Sequence, residues 1–212
     1  RFPMLQPTDA AIDWEAVYQE LRYQTVQNLP LNLLCHVDKQ HKTAYMQAAI
    51  PHLRHYDKIL KEQQNLYQLL QSAQIPCVIL KGSSAARYYP NPSYRCMGDV
   101  DIIVRPCDFQ RCFDLLRESG YEYDGVEDPR HIHLKHQGVL YELHRYFALL
   151  NNRKQSEMLD NRIFEGIDQT QVITLEGYSS PLCPWQRMVL SFWIISASIS
   201  KAASVYARSL IG

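Results

Sequence analysis

The sequence predicts an α+β protein: a small mixed, mostly antiparallel sheet with flanking helices, preceded by an N-terminal helical module. Three observations carry this. Residues 39–74 place apolar side chains at helical spacing with few turn formers. The character changes at residue 75, where "IPCVILKG" begins a series of short strand-like runs closed by Gly, Pro or Asp. Only short helical segments, chiefly "PCDFQRCFDLLRESG", interrupt those runs, and the later ones follow one another as a meander. The expected organisation is a helical module at 1–74, a core at 75–176 and a C-terminal helical segment at 177–212.

Each element has a local reason. "TDAAIDWEAVYQELRYQTVQNL" opens on Thr/Asp capping residues and carries Ile12, Val17, Leu21 and Val26 at helical spacing, before a turn at "NLPLN". The long helix over 39–74 has Leu60, Leu66, Leu69 and Leu70 as its apolar stripe, a Gln/Lys face assigned to solvent, and Pro51 as a kink or break. "IPCVIL" reads as a buried strand ending in a Lys-Gly turn. "SSAARYY" reads as a short serine-capped helix stopped by "PNP". "DVDIIV" is the next strand. Pro106 then starts a helix with Phe109, Phe113, Leu115 and Leu116 inward and Gly120 as its stop. "YEYDG" and "RHIHLKH" come next as strands, with "QG" at 137–138 as a hairpin turn into "VLYELHRYF". A polar helix or loop, a strand "QVITLEG" and a helical stretch from 183 to the end complete the reading.

Bulk properties narrow the function. Hydrophobic residues make up 46% and charged residues 21%, a globular composition. Lys+Arg and Asp+Glu are both 22, so net charge offers no argument for wholesale nucleic-acid or membrane binding. Six cysteines form no CxxC pair or zinc ladder, and reduced thiols in a cytoplasmic protein are expected. The first residues lack a basic region followed by an apolar stretch, so no leader is expected. The apolar run at 188–200 falls short of the ~20 residues of a spanning helix and is read as a buried or partner-binding helix, with self-association as one use.

"YRCMGDVDIIV" carries the chemistry. Side chains alternate along a strand, so Asp99, Asp101 and Ile103 share one face and Val100, Ile102 and Val104 the other. The two carboxylates point the same way, roughly 7 Å apart, after the unencumbered Gly98. Such a pair suits one or two divalent cations, although a solvated strand end explains an isolated pair equally well. In "LKGSS", Gly82, Ser83 and Ser84 offer backbone N–H groups and hydroxyls to a triphosphate, or serve as a plain capped turn; the P-loop spacing is absent. In "VLYELHRYF", Leu140, Glu142 and His144 share one face, and Glu142 is either a third ligand or a surface acid.

Together, "VILKG…YYPNPSYRCMGDVDIIV" and the later "YELH" resemble the uncharacterised nucleotidyltransferases of the DNA-polymerase-β-like superfamily. Leu80, Lys81, Gly82, Tyr89, Pro90, Arg95, Gly98, Asp99 and Asp101 match the group's motifs, and the resemblance covers about 75–146. It implies a polymerase-β-like core. It implies that Asp99 and Asp101 hold two Mg²⁺ or Mn²⁺ ions, that Glu142 joins them and favours deprotonation of an acceptor hydroxyl, and that Gly82 and Ser83 hold the β,γ-phosphates. Lys81 and Arg95 would balance phosphate charge. The implied reaction moves a nucleoside monophosphate from an NTP to a hydroxyl of a small molecule, a protein or an RNA end. Members of the group continue into a longer C-terminal helical region, of which residues 177–212 are expected to be an abbreviated form.

Other readings stay beside it. A catalytically degenerate nucleotide-binding or regulatory protein, toxin–antitoxin-like, is the alternative, and a metal-dependent phosphohydrolase the third. His131, His133, His136 and His144 could form a transition-metal site with Glu142, but the spacing shows no close acid or cysteine to complete one, and strand-pairing histidines are preferred. A redox pair at Cys107 and Cys112 has no supporting surroundings. Tyr94 is the tyrosine expected to stack a base, with Tyr88 and Tyr89 nearby.

Overall fold

The computed structural model describes residues 13–23, 28, 37, 39–147, 152–165 and 167–184. The helical stretch expected from 183 onward, and the start of the first helix with its following turn, lie mostly outside them. The α-helices and strands among them are α1 (Trp14–Tyr23), α2 (Lys39–Ser72), β1 (Cys77–Ile79), α3 (Lys81–Ala86), β2 (Asp99–Val104), α4 (Phe109–Glu118), β3 (Glu122–Glu127), β4 (His131–His136), β5 (Val139–His144), α5 (Arg153–Phe164), β6 (Val172–Leu175) and β7 (Tyr178–Pro181).

Strands β1 to β5 form one sheet in the order β1-β2-β5-β4-β3. Three of its pairings are antiparallel; β2 and β5 are parallel. A parallel pair needs a long crossover, and α4 with the β3–β4 hairpin supplies it. The fold is thus α+β with a mixed, mostly antiparallel sheet, as the residue pattern predicts.

The β4–β5 turn is the expected "QG". Gln137 has φ 49° and Gly138 φ 72°, the left-handed pair of a type I′ turn, which suits the twist of the flanking strands. A second turn of this kind, at Glu176 (φ 50°) and Gly177 (φ 89°), joins β6 to β7 in a separate two-stranded sheet. The "LEG" ending of the expected strand contains this turn, yet "YSSP" has Tyr178 as its one strand former and is not read as β7 from sequence.

Helix α2 runs unbroken through Pro51 instead of dividing there. It covers one face of the sheet: Tyr56, Ile59, Leu60, Leu66 and Leu70 share a core with Val100, Ile102, Val104, Leu134, Tyr141 and Leu143. Leu69, assigned to the stripe, is only partly buried. The Gln/Lys face is also less solvated than its composition suggests. Gln63 is buried, and Gln64 Oε1 accepts the Ser179 N–H at 2.7 Å, tying β7 to the helix.

Among the described residues, the opposite face of the sheet is only partly covered. Ile163 of α5 and Ile167 pack with Val78, Leu80 and Ile103 near β1. Asn152 caps α5 by accepting the Gln155 N–H. Further along that face lie Asp99, Asp101, Glu142, His144, His131 and His133, the residues that carry the site.

Candidate active site and its acid–histidine cluster

Register brings the acids together. Asp101 of β2 is paired with Glu142 of β5, and Glu142 in turn with His133 of β4, so three adjacent strands present these side chains side by side. Asp99 sits two residues before Asp101 on the same face, opposite Leu140. His144 lies two residues after Glu142 and completes the row.

Asp101 is the buried centre, at 3% exposure. Its Oδ1 accepts from Lys81 Nζ at 2.7 Å and lies 3.2 Å from His144 Nε2. The same His144 nitrogen is 3.1 Å from Glu142 Oε2, a bifurcated contact to both acids. The backbone makes the Lys81 contact possible. Leu80 N–H donates to the Asp101 carbonyl at 2.9 Å, which sets the next residue over the carboxylate. The lysine is therefore an ion-pair partner of Asp101.

The charges follow from these neighbours. Burial pushes the Asp101 carboxyl up, but the hydrogen bonds from His144 and Lys81 outweigh it and hold it at about 2. Glu142 is lowered chiefly by its hydrogen bond from His144, against burial. For His144, burial alone would lower the value; Asp101 and Glu142 together raise it. Lys81 is likewise raised, because Asp101, Glu142 and Asp99 overcome its burial. Asp99 behaves oppositely. Burial first, then repulsion from Asp101 and Glu142, raises its carboxyl above the ordinary value.

The donor set fits a hard divalent cation. Three carboxylates on one face, Asp99, Asp101 and Glu142, offer oxygen ligands of the kind such a cation takes. Asp101, Glu142 and His144 also place one ligand atom each within 4.8 Å of one another.

The Lys-Gly-Ser-Ser turn is less exposed than sequence suggests. Helix α3 opens at Lys81, with Leu80 at its cap position and no side-chain cap. The serine hydroxyls turn inward: Ser83 Oγ donates to Gln63 Oε1 at 2.8 Å, and Ser84 Oγ donates to the Ile79 carbonyl at 2.7 Å while accepting the Cys183 N–H at 3.0 Å. These bonds pin the turn to α2 and β1. Gly82 has φ 31°, a conformation that disfavours a side chain. Arg95 turns to Tyr89, donating to its hydroxyl at 3.4 Å. Tyr94 lies in a short 3₁₀ turn, Pro92–Tyr94.

Sequence reasoning missed two contributors. His55 of α2 has Nε2 3.3 Å from the Gly98 carbonyl, at the entry to β2. Gln63 is the acceptor that buries Ser83. Neither position carries a motif; only the approach of a distant helix gives it a role. The four histidines also divide. His136 points to the core side, 3.1 Å from Glu62 and stacked on Tyr121, whereas the other three face Glu142. Glu142, the acid the sequence already sets beside the histidines, is brought to His133 by cross-strand pairing.

Among the described residues, no helix is long and apolar enough to cross a membrane. No curated protein matches the chain. A family model described as "Uncharacterised nucleotidyltransferase" matches residues 10–194, which includes every residue of the site. The strand acids, the Lys-Gly turn and this match agree, and the chain belongs to the uncharacterised nucleotidyltransferase family.

Proposed function

We propose that the protein transfers a nucleoside monophosphate from an NTP to a hydroxyl acceptor and releases pyrophosphate. One observation carries the reading: Asp101 and Glu142 are in register on adjacent parallel strands, with Asp99 on the same face. Asp99, Asp101 and Glu142 would hold Mg²⁺ or Mn²⁺, with two ions the expected number. When bound, such ions stabilise charge developing on the phosphates and acidify the attacking hydroxyl.

The chain's own groups have separable roles. Asp101 and Glu142 set the ligand geometry, because β-pairing fixes their separation. Lys81, 44% exposed, can leave Asp101 and follow the phosphates, so its charge moves from the free site to the substrate. The N–H groups of Gly82, Ser83 and Ser84 would meet the triphosphate, with Gly98 leaving room beside Asp99 and Arg95 balancing charge nearby. The acceptor oxygen forms the new bond to the α-phosphorus as the bond to the β-phosphate oxygen breaks. Glu142 favours loss of the acceptor proton. The free thiols Cys77, Cys112 and Cys183 are consistent with a cytoplasmic protein.

A second reading has its own observation. Lys81 and His144 already neutralise Asp101, which suits a regulatory protein that binds nucleotide without chemistry. Incubation with Mg²⁺ or Mn²⁺, each α-labelled NTP and a panel of acceptors separates the two. Transferred label that disappears in Asp101→Ala supports transfer. Nucleotide binding without transfer for every NTP, unaltered by Asp101→Ala, supports the regulatory reading.

A further inference from the structure

We propose that His131, His133 and Glu142 form a second cation site, which takes a borderline first-row transition ion such as Zn²⁺ in preference to Mg²⁺. The geometry carries it. His131 Nε2 and His133 Nε2 are 3.1 Å apart, and Glu142 Oε1 lies 3.9 Å from the first and 3.6 Å from the second. A triangle with those sides has a circumradius of about 2.1 Å, so one point is equidistant from all three atoms at the length of a Zn–N or Zn–O bond.

The outer partners agree. His133 Nδ1 lies 3.4 Å from Asp124 Oδ2, and His131 Nδ1 lies 3.8 Å from Asp128 Oδ1. Asp128 is itself held by Arg130, whose Nε is 3.0 Å from the same oxygen. The far nitrogen of His133 thus meets a carboxylate, the arrangement that favours a proton on Nδ1 and directs Nε2 to a metal, while His131 Nδ1 faces Asp128 from beyond hydrogen-bond reach. With both protons on Nδ1, two Nε2 lone pairs face each other across 3.1 Å, a repulsive contact that a shared cation removes.

Donor chemistry selects the ion. Two imidazoles and one carboxylate suit Zn²⁺ or Co²⁺, whereas Mg²⁺ prefers oxygen throughout. An ion at that equidistant point lies in the plane of its three protein ligands, and water or another oxygen ligand above that plane would complete four-coordination. His133, 43% exposed, gives the ion a route from solvent. Glu142 joins the two sites, since Oε1 faces the histidine pair and Oε2 faces His144. The proposal does not rest on nucleotidyl transfer, because the histidine site needs neither NTP nor Asp99.

Co²⁺ titration of the metal-stripped full chain, in excess Mg²⁺ and without nucleotide, tests it through the visible bands of four-coordinate cobalt. One equivalent should bind and be displaced by Zn²⁺. His133→Ala should weaken binding about a hundredfold, and Asp124→Asn, which spares all three donors, about tenfold. Asp99→Asn and His136→Ala should leave it unchanged. Equal cobalt affinity in wild type and His133→Ala overturns the site, as does loss of the bands in Asp99→Asn, which would place cobalt on the strand acids instead. If His133→Ala fails to unfold cooperatively, Asp124→Asn decides, and unchanged affinity there counts against the proposal. Label transfer is a separate readout, so either proposal can fail alone.

Discussion

The two faces of the central strands obey different rules. On the α2 side, Val100, Ile102, Tyr141 and Leu143 are at most 2% exposed and belong to one apolar and aromatic cluster. On the other side, the same strands carry Asp99, Asp101, Glu142 and His144. Burial there is paired with charge, and each acid finds a base or another acid. One face gains free energy by excluding water. The other holds several like charges together, a cost that the first face must offset. Stability and chemistry are therefore interleaved residue by residue along β2 and β5, not assigned to separate parts of the molecule.

Substitutions on each face test that division. The largest effect is expected from Asp101→Asn: label transfer should fall by about 10³-fold, since a ligand acting on phosphate charge is worth several kcal/mol, while unfolding stays cooperative. A stability loss with transfer retained would contradict the assignment. Leu143→Ala, on the other face of β5, should do the reverse. It should cost about 3 kcal/mol in denaturant unfolding and leave transfer per folded molecule unchanged.

The pH dependence of the metal-free protein, in EDTA, is a finer probe. Asp101 is held at about 2 against an ordinary 3.8, so its stabilisation is present above 3.8 and is lost as pH falls toward 2. His144 is raised above its ordinary 6.5, so its contribution is complete below 6.5 and is lost as pH rises through the folded value. Unfolding free energy should therefore peak between those limits, with a fall on the order of 2 kcal/mol toward acid. Asp101→Asn should flatten that acid limb. The smallest effect belongs to Leu140, on the functional face yet 56% exposed: Leu140→Thr should change stability by less than about 0.5 kcal/mol.

Much of this is legible in sequence, for reasons that particular residues show. Alternation in "DVDIIV" and "YELH" is a local property, so it puts Asp99 and Asp101 on one face of their strand, and Glu142 and His144 on one face of theirs, without knowledge of the fold. "QG" specifies its turn because Gly138 must adopt positive φ. What spacing cannot supply is register between strands. Glu142 sits opposite both Asp101 and His133 only because β5 lies between β2 and β4, and that order is not written in any one segment. The inward rotation of Ser83 is hidden for the same reason, since its acceptor, Gln63, arrives from a helix face that composition alone would leave in water. Pro51 does not end its helix, because the cost of one missing hydrogen bond can be outweighed by packing along the rest of α2.

The parallel pairing of β2 with β5 has a consequence for how the protein can fail. A slip of one residue between these strands would carry Glu142 to the core side and Leu143 outward, since side chains alternate without exception along the ladder. Both the apolar seam and the ligand set would be lost in a single step. A misassembled chain would not be a sluggish version of the correct one; it would be inert. The activity of a preparation should therefore count its correctly assembled molecules.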